Sequence, residues 1–334
     1  MTSKNKTILT LCLFTGVFGI LLVIATFLDL EISNILTKNA LASHQYVSND
    51  TFGAIFEIIG SAPTTLLLAI ACQIIFLNGH RFYNGWKKYI ICIIFSILSI
   101  YAVYYMFSDI MGYMYRHLAL SEDTSSLFTG VYIDIVLVII SICISATGIL
   151  ALNNLSDETL KKLVKFAIAV IIIAAIPTIL INLVIKKPVG RIRYRAMNMY
   201  PDDPVYGFSA YARWYEINGQ WIDKETMMAL YGSTDALKSF PSGHTSSAAT
   251  SYALITLIDI FDIKDKKKKA LIWIIPLVWT GLTAVARIVV GAHFMSDVLF
   301  GGTITFVTMA ITKEILICKN SHIKELFSKQ PKAA

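Results

Sequence analysis

A chain of 334 residues that is 56% hydrophobic and only 15% charged carries far more apolar side chains than a soluble domain of average usage, which excludes a soluble globular protein. Its formal net charge of +7 sits between apolar runs rather than on one polar face. It therefore reads as an effect of membrane topology, and no nucleic-acid partner is expected.

Predominantly apolar stretches long enough to cross a bilayer lie at 7–28, 62–78, 88–108, 130–152, 165–185, 244–261, 270–289 and 296–317, the second being the weakest. They predict an all-α, polytopic transmembrane helical bundle of about eight spans. The first follows Lys4 and Lys6 as a signal peptide would. However, TFLDLEI offers no small-residue cleavage pattern and the run is long for a signal core, so an uncleaved helix is expected.

Basic residues gather at Lys4 and Lys6, at 80–88 (HRFYNGWKK), at Lys161, Lys162 and Lys165, at 264–269 (KDKKKK) and after Lys319. Alternation of eight helices puts all of these on one side, which should be cytoplasmic. KDKKKK is read as a solvated anchor of that topology in preference to a lipid-binding patch. Segments 29–61, 109–129, 186–243 and 290–295 then face outward, and the plasma membrane is the expected location. The five cysteines, Cys12, Cys72, Cys92, Cys143 and Cys318, are scattered without metal or redox spacing. The organisation expected is a set of N-terminal membrane helices over 1–160, a catalytic membrane region over 161–320 with its outer loop 186–243, and a cytoplasmic tail over 321–334. Nothing in the sequence fixes an oligomeric state.

The outer segments carry the chemistry. Lys186, Lys187, Arg191, Arg193 and Arg195 crowd the outer mouth of a helix, against the usual preference of cations for the inner face. Anchoring to lipid headgroups would explain them if they stood alone. The same outer segment ends KSFPSGHTSS, where Pro241 stops the loop, Ser242 can cap a new helix, Gly243 allows close backbone approach and His244 stands in the first turn. The free N–H groups of such a helix start point at an anion. A third outer segment reads ARIVVGAHFMSD. If a helix runs through His293, Asp297 lies one turn on along the same face, where a carboxylate can fix the imidazole tautomer. Arg287 stands close by in sequence.

Brought together, these groups form a phosphate pocket. His293 is the expected nucleophile, Asp297 its orienting partner and His244 the acid that protonates the departing alkoxide. Lys186, Arg193, Arg287 and the Ser242–Gly243 backbone are expected to bind the phosphoryl oxygens. Two histidines and a carboxylate could instead hold a transition metal. Surrounding cations would repel it, so neither a metal nor another cofactor is expected.

The motifs K-x6-R from Lys186 to Arg193, PSGH at 241–244 and R-x5-H-x3-D from Arg287 to Asp297 resemble those of the type 2 phosphatidic acid phosphatase (PAP2) superfamily of integral membrane lipid phosphatases. The likeness covers about 165–317; the first 160 residues resemble the family only in being helical. It implies a six-helix core, a metal-independent phosphohistidine mechanism and a lipid phosphate or diphosphate substrate, with phosphatidate, phosphatidylglycerophosphate and polyprenyl diphosphate as candidates. Two positions depart from the pattern: Tyr194 where the family usually has Pro, and Ala286 where it usually has Ser. Alternatives are a phosphotransferase acting on a lipid or sugar hydroxyl, and a non-catalytic transporter of the same architecture. The aromatic outer loop 196–240 is expected either to admit lipid sideways or to serve as a structural cap.

Overall fold

The computed structural model describes residues 3–118, 130–219 and 222–319. The expected tail 321–334 and, within the aromatic loop 196–240, Trp221 lie outside the described residues. Among those residues the chain is all-helical. Its helices are α1 (Ser3–Thr37), α2 (Thr51–Ile59), α3 (Ala62–Phe82), α4 (Gly85–Leu118), α5 (Val131–Leu152) and α6 (Asp157–Ile179), then α7 (Tyr194–Met197), α8 (Lys224–Tyr231), α9 (Gly243–Ala249), α10 (Leu257–Ile260), α11 (Lys266–Val289) and α12 (Met295–Thr312).

Seven helical stretches among the described residues are long and apolar enough to cross a membrane: Cys12–Thr37, Thr51–Phe82, Gly85–Leu118, Val131–Leu152, Asp157–Met197, Lys266–Val289 and Met295–Ile317. The chain is therefore an integral, multi-pass membrane protein. The expected eighth span, 244–261, does not reach that apolarity. It is nevertheless helical throughout, as α9, a 3-10 stretch Thr250–Thr256 and α10. A 3-10 helix rises more per residue than an α-helix, so this segment reaches about 30 Å, the thickness of a hydrocarbon core. It packs against α3, α6, α11 and α12, and several of its Ser and Thr side chains find partners inside the bundle. The Ser246 hydroxyl lies 2.7 Å from that of Thr305, and Thr64 donates to Thr250 at 2.9 Å. Enclosed by neighbours, it needs no lipid-facing apolar stripe.

The two halves of the chain interlock. α1 packs along α12 through Phe14 on Phe306 and Phe18 on Phe300. α2 packs on α11, where the Trp279 indole donates to the Gly60 carbonyl at 3.1 Å. The main apolar core joins Ile74 and Leu77 of α3 to Phe166, Val170 and Ile173 of α6 and to Tyr252 and Ile255 of the 3-10 stretch.

The loop 196–240 packs into a second core, built from Ile192, Met197, Met227, Leu237 and Phe294, with Tyr200, Tyr206, Phe208 and Tyr211 packed against it. Trp214 stacks near Phe240 and Phe300, and its indole donates to Thr26 at 2.9 Å. Most of the loop's described aromatics are thus partly or fully buried, Tyr215 being exposed.

Candidate active site

α6 continues through a π-helical stretch, Leu180–Ile185, and a last α-turn that opens with Lys186. Beyond Gly190 the backbone is extended. There the Arg193 amide donates to the Ala236 carbonyl at 2.8 Å and the Ser239 amide to the Arg191 carbonyl at 3.0 Å. This pairing ties the first motif to the loop that leads into the second. The Ser242 amide in turn donates to the Asp297 carbonyl at 2.9 Å, tying the second motif to the third. At Gly301 a Cβ would stand 2.3 Å from the Ser242 carbonyl oxygen, so only glycine lets α12 lie this close. A Cβ on Gly243 would come within 3.2 Å of the Lys186 ammonium. All the predicted site residues therefore gather at one end of the bundle.

Ser242 caps α9 as its sequence suggests: its hydroxyl oxygen accepts the Thr245 amide at 3.3 Å. That occupies the side chain, and leaves the first amides of the helix without intrahelical acceptors. His244 follows, with its ring edge-on to Tyr113 at 5.1 Å and its Nε2 buried without a hydrogen-bond partner.

His293 is held differently from the expectation. Its Nδ1 lies 2.6 Å from the Ser239 carbonyl oxygen, while the nearer Asp297 oxygen is 3.7 Å away, too far for a hydrogen bond. A carbonyl can only accept, so Nδ1 carries the proton and the Nε2 lone pair is left free. Asp297 acts one step removed. Its Oδ2 accepts the Ser239 hydroxyl at 2.5 Å and the Phe294 amide at 2.8 Å, and its Oδ1 accepts from Arg191 at 2.6 Å. It positions the segment that positions the imidazole. Burial, joined by the nearby charges of Arg193 and Arg287, pushes the His293 pKa down to about 3 against the opposing pull of Asp297. The ring is neutral near pH 7.

The five basic residues of the first motif divide into two sets. Arg191 is wholly buried and consumed by Asp297, by Asp29 at 3.0 Å and by the Ala212 carbonyl at 2.8 Å. Arg195 is buried against Glu57 at 3.2 Å and lies over the Tyr46 ring. Lys187 is exposed. Lys186 and Arg193 remain for an anion. The Arg193 guanidinium makes one long bond to the Lys238 carbonyl, 3.4 Å, and its Nε is buried without a partner. Asp235 is an acid that feels its charge. Burial alone would raise its pKa, but the charges of Arg193 and then Lys238 hold it below the ordinary carboxylate range. Arg287 meets Glu57 Oε1 at 2.5 Å, and its Nε also lacks a partner.

Two carboxylates escaped the sequence reading. Glu57 receives Arg287, Arg195 and, at 2.8 Å, His117. Asp29 receives Arg191 and, through its Oδ1, the Ser296 amide at 2.8 Å. Glu57 is the one charged residue in GAIFEIIG, and Asp29 shares TFLDLEI with Glu31 alone; an ionisable group in such an apolar segment is itself a signal. The two departures from the family pattern are accommodated. Tyr194 opens the short helix α7 and packs on Phe208 and Phe294, and Ala286 is fully buried in α11. Among the described residues no three His, Cys, Asp or Glu side chains gather as metal ligands would.

Residues 162–317 match the model of the PAP2 superfamily. No curated protein and no solved structure matches the chain.

Proposed function

From the match of residues 162–317 to the model of the PAP2 superfamily we propose that the chain is a metal-independent phosphatase of lipid phosphates or diphosphates, working through a phosphohistidine on the extracytoplasmic face of the plasma membrane. The catalytic region is 161–320, braced by the N-terminal helices. The observation that carries the reading is the Nδ1–H of His293 pinned to the Ser239 carbonyl, which leaves a neutral Nε2 as nucleophile beside the cationic groups.

In the first step Nε2 of His293 bonds to phosphorus as the bond to the leaving oxygen breaks, and His244 gives that oxygen its proton. A phosphate dianion beside His244 favours the protonated ring the step requires. The unpartnered Nε groups of Arg193 and Arg287, the Lys186 ammonium and the Gly243 and His244 amides accept the charge of the phosphoryl oxygens. Buried N–H groups left unpaired cost about 1–3 kcal/mol each, and a phosphoryl group recovers that. In the second step water attacks phosphorus, His244 takes its proton and the N–P bond breaks, releasing phosphate. Asp297 and Arg191 hold the Ser239 and Phe294 backbone that aims the nucleophile. Cations around the two imidazoles disfavour a divalent metal there.

The test is turnover by the purified protein. His293→Ala abolishes phosphate release while the protein stays folded in detergent. His244→Ala loses more on substrates with poor leaving groups than on those with good ones. Substantial activity in His293→Ala removes that residue from the nucleophile role, and phosphate passed to an added hydroxyl acceptor in place of water marks a transferase.

A further inference from the structure

α4 and α6 both pack closely on α3 but scarcely on each other. Between them lies a cavity of about 290 Å³ that reaches Lys186, Gly243 and His244 at one end. His293 does not line it. In phosphoryl transfer the attacking and leaving atoms stand in line on opposite sides of phosphorus. A cavity touching the acid and not the nucleophile is therefore on the leaving-group side. Tyr105, Thr178 and Asn182 at its rim are exposed on membrane helices, so it opens sideways toward lipid.

About half of the lining is apolar, with Met106, Ile110 and Ile181, and the other half is polar, with groups suited neither to a diacylglycerol nor to a second phosphate. Ser61, Thr65, Asn182, Ser246 and Ser247 contribute hydroxyls and an amide, and Asp109 contributes a carboxylate. The Ser61 hydroxyl donates to Asp109 Oδ2 at 3.0 Å, and Oδ1 has no hydrogen bond among the described residues. An ionisable group at membrane depth is costly and seldom idle. The ester carbonyls of diacylglycerol can only accept, so they offer Asp109 nothing. The second phosphate of a diphosphate would be repelled by it, and the cavity's cation, Lys186, is already engaged at the scissile group. A free hydroxyl, by contrast, donates to Asp109 directly.

Resting on the phosphatase reading above, we propose that this cavity binds the departing alcohol, that the alcohol carries a free hydroxyl next to the scissile ester, as in a glycerol headgroup, and that Asp109 is the residue that selects it. The N-terminal helices α3 and α4 thereby set specificity for chemistry performed by the C-terminal half.

The experiment compares kcat/KM of the purified full-length protein on phosphatidylglycerophosphate, phosphatidate and a polyprenyl diphosphate. Phosphatidylglycerophosphate is expected to be preferred, and Asp109→Ala to lower its ratio to phosphatidate about 10- to 100-fold, the loss of one hydrogen bond to a charged group. Asp109→Asn keeps the shape and serves if the alanine variant does not fold. It lowers the same ratio by less and raises the diphosphate relative to both monoesters. A merely structural Asp109 would depress all three substrates together and leave the ratios fixed. Ratios unchanged in both variants, or phosphatidate preferred by the wild type, overturn the assignment of Asp109 and leave the phosphatase standing. No phosphate released from any of the three, or release undiminished by His293→Ala, overturns the phosphohistidine reading and this inference with it.

Discussion

His293 shows how a single side chain links acidity, burial and stability. Its ordinary pKa near 6.5 falls to about 3 in the folded protein. Between those values the unfolded chain binds a proton that the native one does not. This contribution to stability is therefore complete above pH 6.5 and declines as pH falls toward 3. At pH 5 the loss is about 2 kcal/mol. Thermal unfolding in detergent should accordingly shift down between pH 7.5 and pH 5, and His293→Gln should shift less. An identical shift in the two proteins would assign the acid sensitivity elsewhere. The candidate nucleophile was legible in R-x5-H-x3-D. Its hydrogen-bond partner was not, because the Ser239 carbonyl stands 54 residues away and a backbone acceptor leaves no mark in side-chain identity. For the same reason Asp297 was expected to touch the imidazole directly, when it acts through Ser239 and Phe294.

At the scale of elements, the site depends on α12 lying hard against the turn before α9. The contact of Gly301 with the Ser242 carbonyl sets that distance. Gly301→Val should push α12 outward, carrying Asp297 away from Ser239. A displacement of about 1 Å at a catalytic group costs on the order of 100-fold in rate, so kcat should fall by about that factor. Near-wild-type kcat in a folded variant would mean that the turn simply follows the helix. The apolar runs made nearly all the membrane helices readable in advance. The segment 244–261 was counted as a span yet falls short of the apolarity of the others, since its Ser and Thr residues face neighbouring helices rather than lipid. α2 was missed as a separate helix because nine residues are too few to stand out by periodicity.

For the whole molecule, Glu57 is the joint between the halves. It is buried, and it neutralises Arg195 and Arg287 from a helix outside the family match. Removing one partner of a buried ion pair strands the other, at about 3–5 kcal/mol. Glu57→Gln should therefore lower the unfolding temperature markedly. Inorganic phosphate should restore more of it in the variant than in the wild type, because the anion replaces the missing countercharge for Arg287. Equal protection by phosphate in both would separate Glu57 from the anion site. The sequence supplied the three motifs in order, but it could not disclose that the N-terminal helices complete their electrostatics, since charge pairing over such separations appears only once the chain is folded.

The placement of Asp29 and Glu57 also constrains how the protein is made. Both acids leave the ribosome well before Arg191, Arg195 and Arg287, so each newly inserted amino-terminal segment holds a carboxylate that lipid solvates poorly. Those acids must linger at the water interface, or stay protonated, until the late arginines emerge. A polypeptide halted short of Arg191 therefore lacks the arginine partners of both carboxylates.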